Sequence, residues 1–145
     1  MAGRRDLHFA QLEDVIPEVE RLLAGHVTVG DWSLGQICDH LAAAMNLLLE
    51  GGLGAAPRPV PEAVRRRFLR RDRFPDGVEA PHPALLPPAR GDRVGADALR
   101  RAIERFTAAA GPLPAHPYLG PMGKDEWARF HCLHCAHHLG FAVPI

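Results

Sequence analysis

The chain has 145 residues, 47% hydrophobic and 23% charged, enough for one domain with a hydrophobic core over residues 1–145. Its 17 basic residues match 17 acidic ones, so the basic surplus normal for a nucleic-acid partner is absent. No apolar run approaches the roughly 20 residues that cross a bilayer, and three cysteines, an odd number, make no disulfide framework, so the expected setting is a reducing cytoplasm away from membranes.

The start, Met1 to Ala10, carries positive charge with no apolar stretch behind it and is read as lacking a secretory signal. Apolar residues spaced by three and four predict a first helix from about Phe9 to Ala24, with Pro17 either kinking it or marking where its regular part begins. A second helix is expected over about Ser33–Glu50. Ser33 and Gln36 form a capping box at its start, and Gly51-Gly52 stops it. Twelve of the 14 prolines then fall between Pro57 and Pro121. Within that stretch Pro61–Arg71 reads as a short helix and Phe74–Gly95 as irregular, a long crossover of the kind that serves as a lid or binding loop. A third main helix is expected over about Ala96–Ala110 and a fourth over Lys124–Ala142, with Asp125 and Glu126 suiting the positive end of the last helix. No strand alternation of any length is visible. Four main helices and one proline-rich crossover between the second and third predict an all-α fold, a four-helix bundle.

Chemistry concentrates near the end, where His131, Cys132, His134, Cys135, His137 and His138 place six potential metal ligands in eight residues. At 100° per residue His138 lies about 40° from His134, His131 about 60° on that side and His137 about 60° on the other. Trp127, Phe130 and Phe141 share this face, which marks it as the inward one, while Cys132 and Cys135 fall at its margin or behind it. His134 and His138 are four residues apart, a spacing that lets two imidazoles of one helix reach one metal. A third ligand must come from elsewhere, and His40 fits because it lies on the apolar stripe of the second helix with Ile37, Ala44 and Leu47. An imidazole on such a stripe needs a partner, since an unpaired buried polar group costs about 1–3 kcal/mol. The plain alternative is a hydrogen-bonded core histidine at each position.

Asp31-Trp32-Ser33-Leu34-Gly35-Gln36 followed by His40-Leu41 resembles the W-S-x-x-Q…H-L pattern of the DinB-like (YfiT-like) superfamily of four-helix bundles. His116-Pro117-Tyr118-Leu119-Gly120, Glu126-Trp127 and His134-x-x-His137-His138-Leu139 resemble an uncharacterised branch of it. Where many relatives continue with Arg-Gly-Gln, this chain reads Leu139-Gly140-Phe141. The resemblance implies a homodimeric bundle that holds a divalent metal, zinc or nickel, through His40, His134 and His138. It also implies a metal-dependent hydrolase or a thiol or group transferase acting on a small molecule. The competing expectation is a non-catalytic dimeric helical module whose histidines only pack.

Other features have modest readings. Cys132-x-x-Cys135 in mid-helix is a weak zinc or redox signal, with Cys135 a fourth ligand only if the helix turns; His131 competes as ligand or as hydrogen-bond donor to one. The basic run Arg65–Arg73 reads as a solvated helix face, as a grip on a substrate carboxylate or phosphate, or as a weak nucleic-acid surface. No general base is evident, because Asp39 points about 100° away from its neighbour His40.

Overall fold

Ser33 begins the helix that organises the fold. In the computed structural model, which describes residues 3–51, 60–76 and 85–145, its hydroxyl accepts the Gln36 N–H at 3.1 Å while the Gln36 side chain accepts the Ser33 N–H at 3.0 Å. The helix that follows is one of five among the described residues: α1 (Val15–Ala24), α2 (Leu34–Leu49), α3 (Glu62–Leu69), α4 (Asp92–Ala108) and α5 (Lys124–Leu139). A 3-10 turn, Leu12–Asp14, precedes α1, and Pro17 sits in the first turn of that helix, where its missing N–H breaks no bond. The expected start at Phe9 therefore shortens to Val15. Pro61 caps α3, as its position near the first turn suggested.

Leu34, Ile37, Leu41, Met45 and Leu48 of α2 are almost wholly buried, and each contributes about 1.5–3 kcal/mol by leaving water. They meet Leu99, Ile103 and Phe106 of α4, which is the most extensive helix pairing in the structure. The two helices approach through glycine. A Cβ on Gly95 would stand 2.3 Å from the Gly35 carbonyl oxygen, and one on Gly35 would stand 2.8 Å from the Arg90 and Gly91 oxygens. This contact also explains why α4 starts at Asp92 rather than near Ala96, since Asp92 Oδ1 accepts the Gly35 N–H at 2.8 Å.

Two expectations fail at the C-terminal end. α5 stops at Leu139, not Ala142, and the next residues form a strand. That strand, β2 (Ala142–Pro144), pairs antiparallel with β1 (His26–Thr28) in register Val27↔Val143, extended by Val29 N–H to Phe141 O and Ile145 N–H to Gly25 O. Three residues are too few for a visible alternation, so the pair escaped the pattern. It joins the end of α1 to the end of α5 and sets Trp32, just before α2, against the last turn of α5. Cys132 and Cys135, placed at the margin of the histidine face or behind it, are both buried. The 3-10 turn packs against α5, and the N-terminal segment crosses its end through Arg5 N–H to Gly140 O at 2.8 Å, so little of that helix is left open. Of the proline-rich crossover, residues 52–59 and 77–84 lie outside the described residues.

Candidate metal centre

α2 and α5 cross where His40 faces His134 and His138. The Nε2 atoms of His40 and His134 are 3.1 Å apart and those of His134 and His138 are 3.2 Å apart, with one ring nitrogen from each of the three within 4.8 Å of the others. Their centroids form a near-equilateral triangle with sides of 4.5, 4.7 and 4.9 Å. Thus the structure brings together the three residues that helix spacing singled out. His40 and His134 are buried and His138 is half-buried.

Proton placement follows from the neighbours. His40 Nδ1 lies 2.7 Å from the Leu85 carbonyl oxygen, which can only accept, so Nδ1 carries the hydrogen. Burial pushes the His40 pKa down against the opposing effect of that hydrogen bond. The ring is therefore neutral near pH 7, with its Nε2 lone pair turned into the cluster. Burial, and then the His138 and His40 rings, hold His134 well below its ordinary value, and His138 is lowered chiefly by burial too. Neutral imidazoles are the metal-binding form. Without a cation the packing is awkward. His134 Nε2 touches two other ring nitrogens, and a single N–H there can point to only one of them. Two nitrogens bound to one tetrahedral zinc stand about 3.3–3.4 Å apart, close to the His40–His134 and His134–His138 separations. The donor set therefore fits a divalent ion.

The surroundings are aromatic. Trp32 stacks on His138 at 5.6 Å and tilts toward His40 at 5.1 Å, while Phe74 lies 5.1 Å from His134. The other ligand candidates go elsewhere. His131 points to α4, between Phe106 and Trp127, where neither ring nitrogen has a hydrogen-bond partner. His137 turns the other way, and its Nδ1 accepts from Arg4, which also pairs with Asp76. Cys135 lies outside the convergent set, and burial drives its thiol far above the ordinary range; Cys38 is pushed up to about 12 and Cys132 to about 11. Thiols so protonated are poor ligands and nucleophiles.

The profile of a family described as "Protein of unknown function (DUF1569)" matches residues 1–145. The chain belongs to that family. Neither curated proteins nor solved structures returned a significant match. Two features of this DUF1569 protein escaped the sequence. One is the Leu85 carbonyl that fixes His40, for which backbone leaves no sequence signal. The other is His116, whose Nδ1 accepts the N–H groups of Tyr118 and Leu119 at 3.0 Å and so builds the His116–Gly120 loop. Half of the six arginines of the basic run face acidic neighbours: Arg65 with Glu126, Arg66 with Glu62 and Arg73 with Asp6. No helix of the described residues is long and apolar enough to cross a membrane.

Proposed function

We propose that this DUF1569 protein is a divalent-metal protein of the DinB-like four-helix-bundle type. It binds zinc or nickel through His40, His134 and His138, works as a homodimer, and acts on a small molecule as a metal-dependent hydrolase or a thiol or group transferase. The observation that carries the reading is the convergence of three neutral imidazoles from two helices, with His40 already locked in the tautomer that offers Nε2. A metal held by His40, His134 and His138 would supply Lewis acidity, toward water or toward a thiol. The chain's own residues do the rest. His134 and His138 present their nitrogens from consecutive turns of α5, and His40 closes the set from α2. Trp32 and Phe74 wall the cluster with apolar surface, which limits water and favours a ligand with an apolar body.

A second reading, a non-catalytic dimeric module, draws on Asp39. Its carboxylate is taken by Arg90, and among the described residues no Asp, Glu or Cys joins the three histidines. One comparison separates the readings. Metal analysis of untagged protein purified without chelator is expected to give about one equivalent per chain, lost when His40, His134 and His138 are all replaced by alanine. Less than about 0.2 equivalents, with no uptake of added zinc or nickel, overturns the metal reading. A metal with all its positions filled by protein favours the structural module over the enzyme.

A further inference from the structure

The segment from Leu85 to Asp92 runs along α2 and is tied to it at three points. Gly35 N–H donates to Asp92 Oδ1 at 2.8 Å. Asp39 accepts Arg90 through both carboxylate oxygens, with Nε to Oδ2 at 3.0 Å. His40 Nδ1–H donates to Leu85 O at 2.7 Å. Asp39 and His40 are neighbours on the helix, and their partners Arg90 and Leu85 lie on this one short strut. Pro87 and Pro88 fix two backbone dihedrals within that strut, and Arg90 N–H donates to Pro88 O at 3.1 Å. The segment between Arg90 and Leu85 thus has reduced freedom, so that a shift at one is felt at the other.

The ion pair is oddly placed for a merely structural one. The Asp39 side chain is 5% exposed and the Arg90 side chain 48%. Burying a carboxylate is costly, and a forked arginine is the partner that fixes geometry as well as charge. We infer that Asp39 and Arg90 are positioning residues for the histidine centre: their clamp holds the Leu85 carbonyl against His40 Nδ1–H and thereby keeps the His40 Nε2 lone pair turned toward His134 and His138. This rests on the metal-binding reading for its purpose, but the tautomer it enforces belongs to the protein alone. A partner one hydrogen bond behind a histidine ligand, as the Leu85 carbonyl is here, sets its orientation and is worth about 10- to 100-fold in metal affinity, which is the upper bound for the clamp that holds it.

The test uses the full chain with zinc as probe, in wild type, R90M, D39N, R90K and the surface control R93M. Nitrogen-15 NMR of the imidazoles in metal-free protein reads the tautomer, and competition with a chromophoric chelator reads affinity. Wild type and R93M are expected to show His40 as the Nδ1–H form. R90M and D39N should drift toward the Nε2–H form usual for free imidazole and lose about 10-fold in zinc affinity, up to about 100-fold if the Leu85 bond is lost outright, with circular dichroism unchanged. R90K, which keeps the charge and loses the fork, should recover part of both. If R90M does not fold, D39N decides, because it leaves Arg90 free to turn into water. A wild-type tautomer together with wild-type affinity in folded R90M or D39N overturns the inference. Wild type that binds no zinc removes the metal reading, and the tautomer measurement still decides the clamp.

Discussion

His131 shows how a single imidazole can sit in the middle of a ligand-rich run and take no part in it. It is 1% exposed, enclosed by Phe106, Trp127 and Phe130, and both its nitrogens lack partners. Burial holds its pKa down to about 3. The sign of its effect follows directly. Unfolded, it takes up a proton near pH 6.5; folded, it does not until about 3, so its contribution is intact above 6.5 and is lost as pH falls across that window. His116, lowered to about 4 by burial, adds a second loss ending there, since a proton on its Nδ1 would displace the Tyr118 and Leu119 N–H groups. Each contributes a slope of about 1.4 kcal/mol per pH unit. His131→Phe keeps the ring and removes the unsatisfied nitrogens. It is expected to gain about 1–2 kcal/mol at pH 7 and to flatten the acid side of the stability curve, read by urea unfolding at pH 7 and pH 5. A variant less stable than wild type at pH 7, with the acid slope unchanged, would mean that the imidazole has a partner; a loss at pH 7 with a flattened acid slope would mean that the larger ring overpacks the site. Spacing placed His131 at about 60° from His134, within the inward face. It could not say that this angle meets α4 while His134 meets α2.

The α2–α4 pair carries a similar lesson for whole elements. A glycine changed to alanine within a helix ordinarily gains up to about 1 kcal/mol. At Gly35 the new Cβ would lie 2.8 Å from two backbone oxygens that cannot swing away. Gly35→Ala is expected to lose about 1–3 kcal/mol instead, with a lower melting temperature, because the start of α4 and the Leu85–Asp92 strut must both retreat. An unchanged or higher melting temperature would show that the close approach is slack. The capping box of α2 was legible because its two hydrogen bonds are local and their residues sit three apart. The early start of α4 and the β1–β2 pair were not. The first depends on a bond from Asp92 to Gly35, 57 residues away, and the second on Val27 meeting Val143.

The histidine cluster joins α2 to α5 across 94 residues of chain, so a metal bound there would cross-link the fold as well as equip it. Zinc at about 100 times its dissociation constant is expected to add about 2.7 kcal/mol of stability, visible as a rise in melting temperature that a chelator reverses. His134→Ala, which removes the ring touching both others, should show neither the rise nor the reversal. A wild-type melting temperature indifferent to zinc and chelator would count against the cross-link.

The sequence by itself settled what local rules can settle. Apolar periodicity, the Ser33–Gln36 box and proline placement marked the helices, though the first begins at Val15 rather than Phe9, and the four-residue spacing of His134 and His138 with an inward His40 nominated the three histidines that meet, beside the alternative of core histidines that only pack. Those signals hold because each is read within a turn or two of its own helix; that the His40 helix meets the His134–His138 helix, 94 residues on, is a tertiary fact. Tertiary structure alone decided the rest. It sent His131 and His137 to opposite sides, buried Cys132 and Cys135, paired two strands too short to announce themselves, and brought the Leu85 carbonyl to His40. Each of these depends on which surface a distant part of the chain presents, and a backbone carbonyl leaves no mark in the order of side chains.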